Sequence, residues 1–507
     1  MGGMLSKMKV KQVYNPYLPI NEYVPDGEPH VFGDRLYIFG SHDKAESDTY
    51  CSTEYVVYSA PVTDLTQWTC EGQIYSSKQD PHSKEEVTGA GRREYLFAPD
   101  VVLGNDGRYY LYYCLSAKGG AGGFDGPVSV AVSDTPGGRY EYYGDVKYSD
   151  GRPVKRYVPF DPAVINDNGR IYLYYGWAFM AKHSNDSNEN NLNRIRKMFH
   201  KTDEEIARDG LEIMGANVVE LDSDMLTIKC EPKRIIPCHR LAAGTEFYEH
   251  AFFEASSIRK VGDLYYFVYS TMVQHELAYA VSRYPDRDFH FGGVIISNGD
   301  IGYEGRSEND RTANTGTNHG SIECVNGQWY IFYHRNTNLT SFSRQGLAEK
   351  ISIEPDGSIK QVEMTSCGLN KEALCTDRMY PSVIACNLSD GSMPHNGNYE
   401  KGQIIPVIVE RDDQCFIDNI HNGTYIGYKY FDFKGHSTLR IVIRGTGNGV
   451  IRVYSDKKML NELGRYCIKP GNKWTEQRID IFENGVKPLF FVYEGSETIQ
   501  MLEFGWK

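Results

Sequence analysis

The sequence of 507 residues lacks the features that mark several classes of protein. It has no uninterrupted apolar run near the ~18 residues that a membrane-spanning helix needs. It also lacks an excess of basic residues: 67 acidic residues outnumber 54 basic ones, for a formal net charge of -13. Binding to nucleic acid or anionic lipid depends on a basic surface. We therefore expect neither a nucleic acid nor a membrane as a partner.

Paired cysteines are missing as well. The 11 cysteines are odd in number and no two follow a C-x-x-C spacing, which argues against a disulfide framework or a structural zinc site and indicates reduced thiols. The N-terminal segment MGGMLSKMKVKQVYNPYLP is basic but has no continuous apolar core of the kind found in secretory signals. We therefore expect a cytoplasmic protein; secretion would require a leader already removed.

What the sequence does contain is an internal repeat, in which a turn precedes an aromatic strand. Its five copies are GDRLYIFGS (33–41), DGRYYLYYC (106–114), NGRIYLYYG (168–176), GDLYYFVYS (262–270) and NGQWYIFYH (326–334). Aligned, they place five tyrosines in register: Tyr37, Tyr110, Tyr172, Tyr266 and Tyr330. Asp-Gly and Asn-Gly turns between apolar runs are strong signals for β-hairpins.

Several copies share a further strand, at residues 57–59, 131–133 and 280–282. Five units with several strands each predict an all-β fold, a five-bladed β-propeller. The polar segment 188–210 interrupts the third unit, and we interpret it as a helical insertion. A β-sandwich with repeated hairpins is the alternative.

About eleven residues before each aligned tyrosine lies one polar residue within an apolar segment. These residues are Asp26, Asp100, Asp161, Glu254 and His319. The first strand of each propeller blade lines the central axis, so equivalent positions in five blades converge. Four acids and a histidine at one place repel each other, which is costly unless they serve acid–base chemistry or hold a cation.

The pattern changes near residue 375. Apolar residues then alternate with period two in several short segments, such as 439–443 and 489–493, and no aligned acid recurs. This pattern favours a β-sandwich, jelly-roll-like, appended to the propeller. We therefore predict a propeller domain over 1–370 and a sandwich domain over 375–507.

Five motifs in order, over about residues 14–365, resemble glycoside hydrolase family 43. They are NPYLPINEYVPDGEPHVF, YLFAPDVVL, FDPAVINDNGRIYLYYG, FFEASSIRKVGDLYYFVYS and NHGSIECVNGQWYIFYHR. The C-terminal stretch, with TYIGYKYFDF and a strand around Trp474, is similar to a family 6 carbohydrate-binding module. A module that packs against the propeller without binding sugar is the alternative for that domain.

The resemblance implies an inverting glycosidase on a five-bladed propeller. It assigns Asp26 as the general base, Glu254 as the general acid and Asp161 as the residue that raises the pKa of the acid and orients it. Inverting enzymes hold the acid and the base roughly 6.5–9.5 Å apart, which leaves room for a water molecule. Taken alone, Asp26 and Asp161 could equally be turn residues beside a glycine and a proline.

The resemblance also implies roles for five further residues. Arg344 is expected to reach the sugar, with a surface arginine as the alternative, and Phe97 and Trp177 to form apolar walls, with plain core packing as the alternative. Asp100 could contact substrate or serve as a structural hydrogen-bond acceptor. His319 is expected near an axial Ca²⁺, held through waters because calcium prefers oxygen ligands; a core histidine is the alternative.

The expected activity is release of terminal α-L-arabinofuranose or β-D-xylose from oligosaccharides derived from plant cell walls, without an organic cofactor. An endo-acting arabinanase or xylanase of the same family is one alternative, and a sugar-binding protein without catalysis is another. A retaining β-fructosidase is disfavoured because the start VPDGEP lacks the W-x-N-D-P-type motif. The sequence leaves the oligomeric state open.

Overall fold

The structure is a computed structural model and describes residues 8–87, 90–121, 124–179, 187–199, 201–209, 213–396, 399 and 402–506. Within these ranges, five small antiparallel sheets are followed by one ten-stranded sheet and accompanied by a two-stranded hairpin. The arrangement is the predicted five-bladed propeller with a C-terminal β domain. No helix in the described ranges has the length and apolarity needed to cross a membrane.

The blades follow each other along the chain. Blade I contains β1 (Lys9–Lys11), β2 (Glu28–Phe32), β3 (Arg35–Phe39), β4 (Glu54–Pro61) and β5 (Gln67–Ser76). The hairpin of β6 (Glu86–Val87) and β7 (Gly91–Arg92) leads to blade II, which contains β8 (Tyr95–Leu103), β9 (Tyr109–Ser116), β10 (Ser129–Ser133) and β11 (Glu141–Asp145). Blade III contains β12 (Ala163–Asp167), β13 (Arg170–Trp177), β14 (Gly215–Leu221) and β15 (Lys233–Pro237).

The last two blades complete the ring. Blade IV contains β16 (Phe252–Val261), β17 (Leu264–Thr271), β18 (Glu276–Ser282) and β19 (His290–Ser297), and blade V contains β20 (Ile322–Val325), β21 (Gln328–Asn336) and β22 (Arg344–Ile351). Short 3-10 turns connect many strands, at Ser77–Gln79, Pro81–Lys84, Lys118–Gly120, His239–Leu241, Tyr248–His250, Tyr303–Gly305, Glu308–Asp310 and Ser382–Ile384.

The repeated turns set the register of the blades. Asn168 and Gly169 both have positive φ, 52° and 90°, as do Asn326 and Gly327, 52° and 83°. Two central residues with positive φ define the type I′ turn, whose twist matches that of paired strands. The turns therefore place the repeated aromatic segments in the second strand of each blade, as predicted.

The polar insertion in blade III forms two helices within the described residues, α1 (Asn188–Phe199) and α2 (Asp203–Asp209). Ile195, Phe199 and Ile206 are buried and belong to the same apolar cluster as Trp177 of β13. A helix with one apolar face buries that face against the protein and leaves its charged face in water. The insertion thus packs beside the inner strands of the ring.

The N-terminal segment closes the ring between the first and last blades. β1 pairs with β5 at the outer edge of blade I, and Gly27 forms a bridge with Gly320. The Asn15 amide donates to the carbonyl oxygens of Ala348 and Thr365, both at 3.0 Å. The bridge at Gly27 and the Asn15 hydrogen bonds therefore join the start of the chain to blade V and the segment that follows it.

The C-terminal domain is a single hydrogen-bonded sheet of ten strands. They are β23 (Leu374–Cys375), β24 (Met379–Pro381), β25 (Asn387–Ser389), β26 (Val407–Arg411), β27 (Gln414–Ile420), β28 (Tyr425–Gly445), β29 (Asn448–Tyr454), β30 (Glu462–Ile468), β31 (Gly471–Ser496) and β32 (Ile499–Trp506). Two of them, β28 with 21 residues and β31 with 26, pair along most of their length. Residues that alternate along these strands, such as Leu439, Ile441 and Ile443, share one buried core.

Candidate active site

All five blades contribute side chains to one cavity of about 300 Å³. Four of the five aligned polar residues lie in its wall: Asp26, Asp161, Glu254 and His319. The cavity is also lined by Arg344, Phe97 and Trp177, which the sequence analysis singled out. Its volume is at the lower end of the range of ligand-binding pockets in proteins.

Asp26 is a buried carboxylate, 3% exposed, that precedes β2 in a left-handed conformation with φ of 57°. Its Oδ1 accepts a hydrogen bond from Nη1 of Arg344 at 2.7 Å. Burial raises the pKa of Asp26, but Arg344, with smaller contributions from His319, His334 and the Ser41 hydroxyl, more than offsets this, so the pKa lies below its ordinary value. Asp26 is therefore ionised at neutral pH.

Arg344, at the start of β22, is held by a second carboxylate that the sequence analysis missed. Asp43 accepts from Nε and Nη2 of Arg344 at 2.8 and 3.1 Å, and also from the Arg344 backbone N–H at 3.1 Å. This two-pronged pairing fixes the guanidinium in one orientation. Asp43 follows β3 in the sequence GSHD, and the other four repeats have no acid there, so the repeat gave no signal for it.

Two buried histidines flank Asp26. Nδ1 of His319 lies 3.6 Å and Nδ1 of His334 lies 3.5 Å from Oδ1 of Asp26. Burial lowers the pKa of His319 to about 4 and of His334 to about 3, so both rings are neutral at pH 7. At neutral pH Arg344 is therefore the cation beside Asp26 among the described residues, and it contributes most to keeping Asp26 ionised. His334 was not predicted as a site residue, although it ends the fifth repeat as a polar residue in an apolar strand.

Glu254 lies in β16 and is partly exposed to the cavity. Its Oε2 accepts a hydrogen bond from Nε1 of Trp177 at 3.1 Å. Burial and then the negative charge of Asp26 raise the pKa of Glu254 to about 8. Glu254 is therefore protonated at neutral pH, in contrast to Asp26 in the same cavity.

Asp161 is the third acid, buried and in a left-handed conformation with φ of 46° before Pro162. Its Oδ2 accepts the Ala255 backbone N–H at 2.9 Å, which ties it to the residue after Glu254. Burial, then the charges of Glu254 and Asp26, raise the pKa of Asp161. An anion on Asp161 or on Glu254 disfavours an anion on the other, so the pair retains a proton at neutral pH.

Aromatic side chains also line the cavity. Phe124 and Phe160 stack with ring centroids 3.7 Å apart, and Phe97 packs against them at 5.3 and 5.8 Å. Met198 of α1 also lines the cavity, so the helical insertion contributes to it directly. Phe97 and Trp177 therefore lie where the resemblance implies, and Trp177 has the additional hydrogen bond to Glu254.

Asp100 does not line the cavity, and expecting it to contact substrate there was wrong. It is fully buried and accepts from the backbone N–H groups of Val101 and Val164, both at 2.7 Å, while one oxygen lies 2.6 Å from Nε2 of His30. Asp100 lies ten residues before its aligned tyrosine, one fewer than Asp26 and Asp161. Glu254 lies twelve residues before its tyrosine and yet lines the cavity, so this count alone does not decide which face a side chain takes. The register of β8 shifts between Phe97 and Asp100, and that of β16 shifts on both sides of Glu254; such bulges redirect side chains.

The surroundings of His319 do not form a calcium site from protein atoms alone. Among the described residues, the carboxylate oxygens near its ring are Oδ1 of Asp26 and Oδ2 of Asp161, each at 3.6 Å. The first is engaged by Arg344 and the second by the Ala255 N–H. Calcium takes 6–8 oxygen ligands, so calcium near His319, held through waters, remains a prediction.

Comparisons with known proteins identify the family of this chain. Residues 19–359 match the family model of Glycosyl hydrolases family 43. A xylosidase/arabinosidase of Thermoclostridium stercorarium is 42% identical over 97% of this chain and 98% of its own length. A xylosidase/arabinosidase of Bacteroides ovatus is 30% identical and covers 63% of this chain and 87% of its own length.

A solved structure also resembles this one. It is a calcium-free crystal structure of a β-xylosidase/α-arabinofuranosidase from a compost metagenome, in complex with xylotriose. It is 25% identical, covers 70% of this chain and 98% of its own, and has a TM-score of 0.50. With the family match over most of the chain, these findings show that the protein is a glycosidase belonging to glycosyl hydrolases family 43.

Proposed function

We propose that the protein is an exo-acting, inverting glycosidase that releases terminal α-L-arabinofuranose or β-D-xylose from oligosaccharides. Asp26 is the general base, Glu254 the general acid, and Asp161 the residue that keeps the acid protonated. The observation that carries the proposal is the contrast between Asp26 and Glu254, because one cavity holds a carboxylate that is ionised and a carboxyl that is protonated at neutral pH.

As the base, Asp26 takes a proton from a water molecule while that water attacks the anomeric carbon. Arg344 keeps Asp26 ionised, and the Asp43 fork keeps Arg344 in place. The two histidines beside Asp26 are neutral and add no competing positive charge. The ion pair with Arg344 thus keeps the base ionised, and the left-handed backbone conformation at Asp26 helps to fix the direction of its side chain.

As the acid, Glu254 gives its proton to the oxygen of the leaving group. The indole N–H of Trp177 holds Oε2 of Glu254 at 3.1 Å, which fixes the direction of the carboxyl. Asp161 and Glu254 share one proton, and we assign it to Glu254. Asp161 accepts a hydrogen bond from the backbone N–H of Ala255, and this bond stabilises the ionised form of Asp161. The charge on Asp161 then resists ionisation of Glu254 until the proton is delivered.

The shape of the cavity and the names of the relatives support the sugar class. A cavity of about 300 Å³ lined by aromatic rings and Met198 suits one sugar ring with part of the next. The Thermoclostridium and Bacteroides relatives are both called xylosidase/arabinosidase. An endo-acting arabinanase or xylanase, the alternative within the family, would need an open cleft along the chain of sugars.

The test is hydrolysis of a panel of nitrophenyl glycosides by the wild type, Asp26→Asn and Glu254→Gln. We expect turnover of the α-L-arabinofuranoside or the β-D-xyloside, with product inversion seen by NMR. Loss of general acid–base catalysis typically lowers the rate 10²–10⁴-fold. In Glu254→Gln the rate should fall least on the substrate with the best leaving group, because that group needs the least protonation. Wild-type rates in either variant, or a retained anomeric configuration, would overturn the assignment; activity on polysaccharide alone would favour the endo-acting enzyme.

A further inference from the structure

A cluster of two histidines and a glutamate lies outside the cavity, where the propeller meets the C-terminal domain. His275 follows β17, Glu308 lies in a 3-10 turn after β19, and His395 lies in the segment between β25 and β26. One ligand atom from each, an imidazole nitrogen or a carboxylate oxygen, lies within 4.8 Å of the other two. We propose that these three side chains bind a Zn²⁺ ion that joins the two domains.

The separations fit the metal. Nε2 of His275 is 4.0 Å from Oε1 of Glu308, and Nε2 of His395 is 3.6 Å from Oε2 of Glu308. Tetrahedral zinc with bonds of 2.0–2.1 Å holds its ligand atoms about 3.3–3.4 Å apart. The two histidine–glutamate separations are thus about 0.2–0.7 Å wider than this, and all three ligand atoms lie within 4.8 Å of one another. Side-chain adjustments of about an ångström therefore bring the ligands to bonding distance, with a water molecule as the fourth ligand.

The neighbours of His275 point its Nε2 at the cluster. Its Nδ1 lies 2.9 Å from Oγ of Ser297, whose own proton goes to the carbonyl of Asn298. Ser297 therefore accepts from Nδ1–H, and the lone pair of the neutral ring lies on Nε2, the arrangement typical of a zinc ligand. Since His275 is only 3% exposed, this ring has little freedom to turn away.

His395 is oriented in a similar way from the other domain. Its Nδ1 lies 2.9 Å from Oγ1 of Thr315, which also accepts the backbone N–H of Asn396. The Asn396 amide contacts Nε2 of His395 at 3.3 Å and would give way to the metal. Because Glu308 is more than half exposed, its carboxylate can adjust to the ion.

One nearby charge opposes binding. The Arg311 guanidinium is close enough to His395 to help lower the pKa of that ring. Its hydrogen bonds, however, go to the carbonyl oxygens of Met393 and Glu308, so the guanidinium is held by backbone oxygens. The carboxylate of Glu308, which contacts both histidines, compensates for this charge.

The cluster also borders the active site. Gln274, next to His275, and Thr317, two residues after Thr315, both line the cavity. The backbone N–H of Asn318 donates to the carbonyl of Gln274 at 2.9 Å. A metal at the cluster would therefore brace one wall of the cavity as well as the junction between domains.

The test uses the full chain without a histidine tag, treated with EDTA and titrated with ZnCl₂ by calorimetry. We expect one zinc per chain and a higher melting temperature with zinc. In His395→Ala the affinity should fall at least about tenfold, since loss of even an outer partner of a ligand costs 10–100-fold, and zinc should no longer raise the melting temperature. Glu308→Gln, at an exposed position, provides a second variant if His395→Ala does not fold.

The matched control is His290→Ala. His290 is exposed and pairs with Glu246 at 3.0 Å, but lies in neither group of three potential metal ligands found among the described residues. This control should bind zinc like the wild type. No zinc on the wild type, or an isotherm unchanged in both His395→Ala and Glu308→Gln, would overturn the proposal. Binding without any rise in melting temperature would show that the metal does not join the domains.

Discussion

The ion pair between Arg344 and Asp26 offers a quantitative test of how this site sets its base. Replacing Arg344 by Met removes the cation whose Nη1 lies 2.7 Å from Oδ1 of Asp26. It also leaves the buried Asp43 without its partner, a second anion close to Asp26. Both changes disfavour the ionised form of Asp26, so its pKa should rise.

The size of the effect follows from the charges. Two unit charges about 4 Å apart interact by ~4 kcal/mol at an effective dielectric constant of about 20. One pKa unit corresponds to about 1.4 kcal/mol, so the pKa of Asp26 should rise by up to about three units. A base must be ionised to act, and activity falls as pH drops through its pKa. The acidic limb of the pH profile should therefore move to higher pH.

The assay is kcat/KM against pH on an activated pentoside, with circular dichroism to establish that the variant is folded. Arg344→Lys is the matched control, because it retains the charge but loses the fork to Asp43; its acidic limb should move by less than about one unit. A folded Arg344→Met enzyme whose acidic limb coincides with that of the wild type would refute the reasoning.

Other contacts in the molecule lead to three further predictions. In Trp177→Phe, Glu254 loses a hydrogen bond that lowers its pKa, so the basic limb of the pH profile, near pH 8 in the wild type, should move to higher pH; an unchanged or lower limb contradicts this. Asp100→Asn should lower stability by at least about 2 kcal/mol in thermal unfolding, since hydrogen bonds to a charged group contribute ≈1.5–3 kcal/mol each, while kcat/KM of the folded enzyme stays within about twofold. Lys429→Met breaks buried ion pairs with Asp300 and Glu363 at 3.1 and 2.9 Å and should lower the free energy of unfolding by about 3–5 kcal/mol. A denaturant midpoint equal to that of the wild type would contradict this.

The sequence predicted those parts of the site that the repeat carries. Asp26, Asp161 and Glu254 stand at one position of the blade, and a rotation from blade to blade brings that position to one cavity. Hairpin turns such as Asn168-Gly169 supplied the register on which this prediction depended. The propeller and its cavity were therefore predictable from one chain.

The residues that were missed come from positions outside the repeat. Asp43 lies in a connection after β3, and connections between blades differ in length and sequence. Asp100 was misplaced because the register of β8 shifts between Phe97 and Asp100, and a bulge of this kind is not visible in the spacing of the repeat. Phe124 and Phe160 reach the cavity from segments with no periodic pattern, so only the folded chain reveals them.

The C-terminal domain is best understood as part of the enzyme's framework rather than as an attachment on a flexible linker. Lys429 of β28 is buried, 2% exposed, between two acids of the propeller domain. Arg335 of β21 donates to the carbonyl oxygens of Val383 and Ala385, on the C-terminal side. Buried charges that lose their partners are strongly destabilising, so separating the domains would leave cations and acids exposed or unpaired on both sides.

The same junction reaches the cavity. The Asn314 amide donates to the hydroxyl of Tyr399 at 2.5 Å, and Thr315 contacts His395. The segment that receives these contacts continues to Thr317 and His319 in the wall of the cavity. Because the C-terminal domain thus supports the blade V side of the active site, its removal should impair the position of His319 and, through it, the surroundings of the base.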